Sequence, residues 1–222
     1  MNLRQAKSTL LIFTYIFVMF LLPMISVYAL SIFLTNDADI QVYANLISYI
    51  VLVAVSFLFF GRELKEQFKS ISSPATYLKG ILAGWGILFA ASYVSGMIVI
   101  LLTQSTDTSV NQQLITNLMD VHPILMAIMT VLCAPLAEEV VFRFTIMGGL
   151  MKQPWVGILL SSFLFGMIHV VSAGDFVYLI QYMAMGIALG YVYYRHQNIW
   201  FSIGVHAIQN LISTLLVLFT SL

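Results

Sequence analysis

The chain has little charge: 9 Lys and Arg against 9 Asp and Glu in 222 residues, 8% in all, with 61% hydrophobic residues. A water-facing surface alone needs roughly 25–35% charged side chains, so a soluble domain of this size is excluded. A single cysteine, Cys133, rules out an intramolecular disulfide and any multi-cysteine metal cluster. In this context Cys133 reads as a small buried residue rather than a nucleophile. HExxH, GxSG and GxGD are all missing (Ser172-Ala173-Gly174-Asp175 lacks the first glycine), which disfavours zinc, rhomboid-like serine and aspartyl intramembrane peptidases. No internal repeat or low-complexity tract occurs, so inverted-repeat transporters lose their main sequence signal. Nothing points to nucleic acid.

What the chain does have is apolar runs near or above the roughly 20 residues needed to cross a bilayer. Seven are expected, at about 9–34, 42–60, 78–102, 122–151, 155–171, 176–194 and 199–220. The fold class is therefore all-α, a polytopic helix bundle forming a single membrane domain over 1–222. The first run is too long for a signal-peptide core and no small-residue cleavage site follows it, so it is expected to remain as an anchor. Pro23 should kink the first run; Pro135 lies inside the fourth, where a break would raise the helix count to eight.

Basic residues are segregated. Arg4 and Lys7 precede the first run; Arg62, Lys65, Lys69 and Lys79 follow the second; Lys152 follows the fourth and Arg195 the sixth. The alternate connections hold Asp37, Asp39, Asp107, Asp120 and Asp175 and no Lys or Arg. The positive-inside rule then places the amino terminus in the cytoplasm and the carboxyl terminus outside. Residues 61–79 suit either an amphipathic helix on the inner leaflet or a solvated basic loop. Residues 103–120 suit a loop or a surface helix. His122 and His196 fall at run boundaries and read as interfacial residues.

Against this background Glu138 and Glu139 are anomalous, since a carboxylate at membrane depth costs a few kcal/mol even on lenient scales. Arg143, four residues on, shares a helix face with Glu139 and can neutralise it. Glu138 points about 100° away and is left unpaired. Further polar residues interrupt later runs: His169, then His206 and Asn210, which share a helix face. If the fourth and fifth runs form a hairpin turning near Gln153 and Pro154, Glu138 and His169 each lie about 15 residues from the turn, roughly 20 Å along their helices and level with one another. His206 and Asn210 reach broadly the same layer. Singly, such residues commonly make interhelical hydrogen bonds; together, on three helices, they form a site.

The chemistry this set supports is water activation. A carboxylate and an imidazole sharing one water can take its proton and return it to a leaving amine. His206 and Asn210 can donate to an oxyanion, while Glu139 with Arg143 braces the helix. Glu and His could also hold a divalent metal, but Arg143 and Asn210 fit a metal-free site better. A proton-relaying transporter is the remaining rival class.

The same residues resemble the CPBP family, the CAAX-protease and bacteriocin-processing (Abi) group of intramembrane glutamic endopeptidases. Its EExxxR motif matches Glu138, Glu139 and Arg143; its FxxxH motif matches Phe165 and His169; its third motif matches His206 and Asn210. The three occur in order over about residues 120–215, the expected catalytic core. The resemblance implies that Glu138 and His169 activate water and that His206 and Asn210 form an oxyanion hole, without metal or other cofactor. It implies a membrane-associated peptide or lipidated protein as substrate, membrane lipid as surroundings, and a bacterial plasma membrane as location. A non-catalytic role in bacteriocin self-immunity or peptide binding is the alternative it leaves open.

Overall fold

A computed structural model describes residues 3–220. Among them all regular structure is helical: α1 (Leu3–Leu30), α2 (Asp37–Lys69), α3 (Pro74–Thr103), α4 (Val110–Val121), α5 (Pro123–Leu150), α6 (Pro154–Val170), α7 (Phe176–His196) and α8 (Ile199–Thr220). All seven expected apolar runs are present as helices. Six of them are long and apolar enough to cross a membrane; α6, at 17 residues, falls short. Its rise of roughly 25 Å is less than the ~30 Å hydrocarbon core. Six helices thus qualify as candidate membrane spans by length and composition, and the seventh apolar run is the shorter helix α6.

Local chemistry explains the boundaries. α1 is interrupted at Leu21, and Pro23 sits in the first turn of the following segment, so the expected kink is there. Asn36 caps α2 through Oδ1, which accepts from the Ala38 and Asp39 amides. Ser73 caps α3 in the same way, with Pro74 opening the helix. The stretch 61–79 is neither a surface helix nor a solvated loop. α2 continues to Lys69, and only residues 70–73 separate it from α3. At 33 residues α2 is roughly 50 Å long, so its basic end projects beyond the apolar layer.

Residues 103–120 resolve into a short turn and α4. Leu118 and Met119 of α4 bury against Val42 of α2 and Met126 and Met129 of α5. Asp175, in the α6–α7 turn, accepts from the Val110 amide at 2.9 Å, and Tyr178 donates to the Asp107 carbonyl at 2.9 Å. α4 is thereby tied across the aspartate-bearing end of the bundle. The basic residues gather at the other end. There Lys7 Nζ donates to the Phe59 carbonyl and Asn198 Nδ2 to the Gln67 carbonyl.

Pro135 does not break α5, so the eighth helix is α4 instead. The turn before the proline, Met129–Cys133, is wound as a π-helix, and Val140–Leu150 is π-helical as well. Wider turns of this kind recur at functional sites. Between them, Ala134–Glu139 is an ordinary α-turn carrying the two carboxylates. Cys133 is half-buried rather than buried. His122 is more than an interfacial residue: its Nε2 lies 2.6 Å from Asp39 Oδ1, joining the start of α5 to the start of α2. His196 stacks on Phe201 with centroids 3.9 Å apart.

Candidate active site

Glu139 and Arg143 are completely buried, and Arg143 Nη1 lies 3.0 Å from Glu139 Oε1. Burying one such charge without its partner would cost several kcal/mol, which explains why they come as a pair. Arg143 Nη2 also donates to the Gly186 carbonyl on α7 at 3.1 Å, and its guanidinium lies over the Phe165 ring on α6, 4.6 Å from the centroid. One side chain thus fastens three helices. The close approach depends on Gly186, where an added Cβ would stand 2.8 Å from the Ser162 Cα. Glycine lets the α6 and α7 backbones meet there.

His206 stands between the two carboxylates. Its Nδ1 is 3.1 Å from Glu139 Oε1, and its Nε2 is 3.9 Å from Glu138 Oε2. Glu138 is 4% exposed and also meets the Tyr49 hydroxyl of α2, at 3.5 Å from Oε1. Sequence reasoning left Glu138 unpaired and set it against His169. Among the described residues no hydrogen bond or ion pair joins those two; Tyr49 and His206 are the neighbours of Glu138. Glu138 and His169 instead line the same cavity, of about 240 Å³, together with Phe165, His206 and Asn210. At about 30 Å³ per water that is room for several waters or a short stretch of peptide.

The His169 ring is oriented on both sides. Its Nδ1 is 2.7 Å from the Phe165 carbonyl, which can only accept, so the proton sits on Nδ1. In the neutral ring Nε2 then carries the free lone pair. Tyr182 of α7 stacks on the imidazole, 4.4 Å between centroids and 23° between planes. The Tyr182 hydroxyl is held in turn by Ser109 Oγ at 2.7 Å and Asn111 Nδ2 at 3.3 Å, both from the start of α4. Phe165 therefore has three tasks: it accepts from His169, supports Arg143, and meets His206 edge-on at 5.9 Å.

Asn210 is explained by Pro135. The Ala134 amide bonds to the Met129 carbonyl, in the five-residue π pattern. The Thr130 carbonyl would next receive residue 135, which as proline has no N–H. Asn210 Nδ2 fills that gap, donating to Thr130 O at 2.8 Å. One amide proton of Asn210 is thus spent on the helix, and the other remains for a ligand.

Tyr49, Tyr182 and Ser109 were not found by sequence reasoning. Tyr49 had a faint signal, adjoining Ser48 in an otherwise apolar run. Tyr182 and Ser109 had none. Among the described residues no group of three or more His, Cys, Asp or Glu is arranged to hold a metal ion.

Comparison with known proteins bears on the same stretch. Residues 120–212 match the family model described as "Type II CAAX prenyl endopeptidase Rce1-like". The chain is 28% identical over 170 residues to "Putative membrane peptidase YdiL" of Bacillus subtilis (strain 168), covering 75% of this chain and 68% of that protein. It is 29% identical over 139 residues to "UPF0177 protein YvdC" of Lactococcus lactis subsp. lactis (strain IL1403), covering 62% of this chain and 52% of that one. The chain thus spans about two thirds of the first relative and half of the second. No solved structure matches it significantly. The Rce1-like match agrees with the CPBP resemblance carried by the three motifs, and supports a CAAX-type endopeptidase, a hydrolase, in an integral membrane protein.

Proposed function

We propose that this membrane protein, Rce1-like over residues 120–212, is an intramembrane glutamic endopeptidase that hydrolyses a peptide bond with water activated by Glu138 and His169. The observation that carries the reading is that Glu138, His169, His206 and Asn210, from three helices, line one cavity at whose edge Glu139 is already neutralised by Arg143. Glu138 is the carboxylate left free for proton transfer.

In this mechanism a water lies between Glu138 and the free Nε2 of His169. Glu138 takes its proton as the oxygen attacks the carbonyl carbon, giving a tetrahedral oxyanion. Asn210 and His206 line the cavity. The second amide proton of Asn210 is a donor available to that oxyanion, and His206, whose Nδ1 hydrogen goes to Glu139, donates from Nε2 only in its doubly protonated form. The C–N bond then breaks, the proton held by Glu138 passes to the departing amine, and a carboxylic acid is left. Glu138 returns to its starting state. His206, held by Glu139, keeps the active carboxylate and the brace in register. No metal is required, so activity is expected to survive chelation; loss on chelation and recovery with a divalent ion would replace this mechanism with a metal-assisted one.

The match is to an endopeptidase family, so the self-immunity or pure binding alternative is not favoured. The positive-inside rule puts the basic end, with the amino terminus, in the cytoplasm, and both relatives are bacterial, which supports a bacterial plasma membrane. The substrate is a membrane-associated peptide or protein. The test is processing of a candidate peptide in membranes by the wild type and by Glu138→Ala, Glu138→Gln and His169→Ala. Expected is loss of processing in all three with the protein still inserted; wild-type-like processing by all of them would end the proposal.

A further inference from the structure

The hydrogen bond that holds the His169 ring comes from its own helix: Nδ1 donates to the Phe165 carbonyl, 2.7 Å away and one turn back. A bond at one corner leaves the ring free to tilt about that corner. The Nε2 lone pair, which the proposed mechanism uses, tilts with it. The Phe165 ring also meets the imidazole, at 4.7 Å, but with 48° between the planes. The near-parallel neighbour is Tyr182 of α7, at 4.4 Å and 23°.

Tyr182 is itself held at its far end. Its hydroxyl oxygen accepts from Asn111 Nδ2 at 3.3 Å and shares a proton with Ser109 Oγ at 2.7 Å. Ser109 is buried and also caps α4, accepting from the Gln112 amide at 3.2 Å. The same short segment is fastened to the start of α7 at two further points. Val110 donates its amide to Asp175 Oδ2, and Tyr178 donates its hydroxyl to the Asp107 carbonyl, each at 2.9 Å. Tyr178 and Tyr182, four residues apart, share a face of α7. Thr108, Ser109, Asn111 and Gln112 of that segment also line the cavity. Tyr182 therefore joins the cavity wall to the imidazole.

The Tyr182 ring packs against the cluster of Val99, Val170 and Tyr178. Space filling of that kind explains the ring but not the two hydrogen bonds at its tip. We propose that Tyr182 is a positioning residue for His169: its ring sets the tilt of the imidazole, and Ser109 and Asn111 set the tilt of Tyr182. This rests on the endopeptidase reading and assigns the support of its imidazole.

The test has two arms, both on the full chain in lipid nanodiscs. The first needs no substrate. Histidine nitrogens are isotope-labelled, and the His169 resonances are identified by their loss in His169→Gln. Expected is one neutral tautomer in the wild type, protonated at Nδ1, and a mixture of both tautomers in Tyr182→Leu. If Tyr182→Leu does not fold, the tautomer is read in Tyr182→Phe. The second arm finds a cleaved sequence in a randomised peptide library by mass spectrometry, with Glu138→Gln as the blank, and measures its kinetics. Tyr182→Phe and Ser109→Ala are each expected to lower kcat about fivefold, more than they change KM, with unfolding temperatures unchanged. The double variant should be no slower than either single one, because both cut the same tie. Wild-type kcat in Tyr182→Phe would overturn the inference, as would an unaltered His169 tautomer in the variant read. No products above the blank with the wild type would overturn the endopeptidase reading instead, and the tautomer arm would then decide the role of Tyr182 by itself.

Discussion

Helices α3 and α5 are nearly equally apolar, yet half of the apolar stretch of α5 is buried against only 17% of that of α3. Both are membrane helices by composition; they differ in what surrounds them. α3 turns Met97, Leu101 and Leu102 outward; it gives Ser92 to the cavity wall, and its Trp85 Nε1 donates to Gln209 at 3.1 Å. α5 carries Glu138, Glu139 and Arg143, and a helix with three ionisable groups must be enclosed by other helices. Hydropathy identifies the membrane segment, whereas the polar residues decide which segment the others pack around.

That contrast can be broken most severely at the buried ion pair. Glu139→Ala leaves Arg143 enclosed and unpaired and should destabilise the fold by about 3–5 kcal/mol, seen as a large drop in unfolding temperature in detergent. Changing both residues to apolar ones of similar size should cost much less than either single change. If Glu139→Ala unfolds at the wild-type temperature, the pair is not what holds α5 in place. Gly186→Leu forces the α6 and α7 backbones apart, at about 1–3 kcal/mol, and should lower cleavage because Arg143 loses its α7 carbonyl.

Tyr49→Phe sharpens the comparison within the site. It removes only the hydroxyl beside Glu138, so cleavage should fall several-fold, equivalent to about 1 kcal/mol, with unfolding unchanged. An unaffected rate would mean that Tyr49 merely lines the wall. At the opposite extreme lies Leu101→Ala on the outer face of α3, where the side chain is 68% exposed. Its expected effect on stability is within about 0.5 kcal/mol, with unchanged activity. A large effect there would show that α3 packs against something other than lipid.

The sequence discloses the two kinds of helix unequally. Glu138, Glu139, Arg143, His169, His206 and Asn210 are conspicuous because ionisable and amide groups are rare and costly among apolar residues, and their spacing is local. The Glu139–Arg143 contact needs only four residues of one helix. The site's tyrosines are harder, because tyrosine is common in membrane proteins for its affinity for the interface. Tyr49 reaches Glu138 across 89 residues of chain, a contact created by packing alone. The π-helical turns of α5 have no compositional mark either, so the partnership of Pro135 with Asn210 emerges only when the backbone pattern is known. Counting from the hairpin turn brought Glu138 and His169 to one cavity but could not show that His206 is the nearer imidazole. Depth follows from residue number, whereas azimuth depends on how the helices wind and pack.

The account rests on dividing two adjacent carboxylates into a brace and a base. Its most direct test is the cleavage rate of Glu138→Gln protein that unfolds at the wild-type temperature. The division predicts a folded protein whose rate has fallen to background, on the order of 10² to 10⁴ below wild type. Cleavage at the wild-type rate would contradict it.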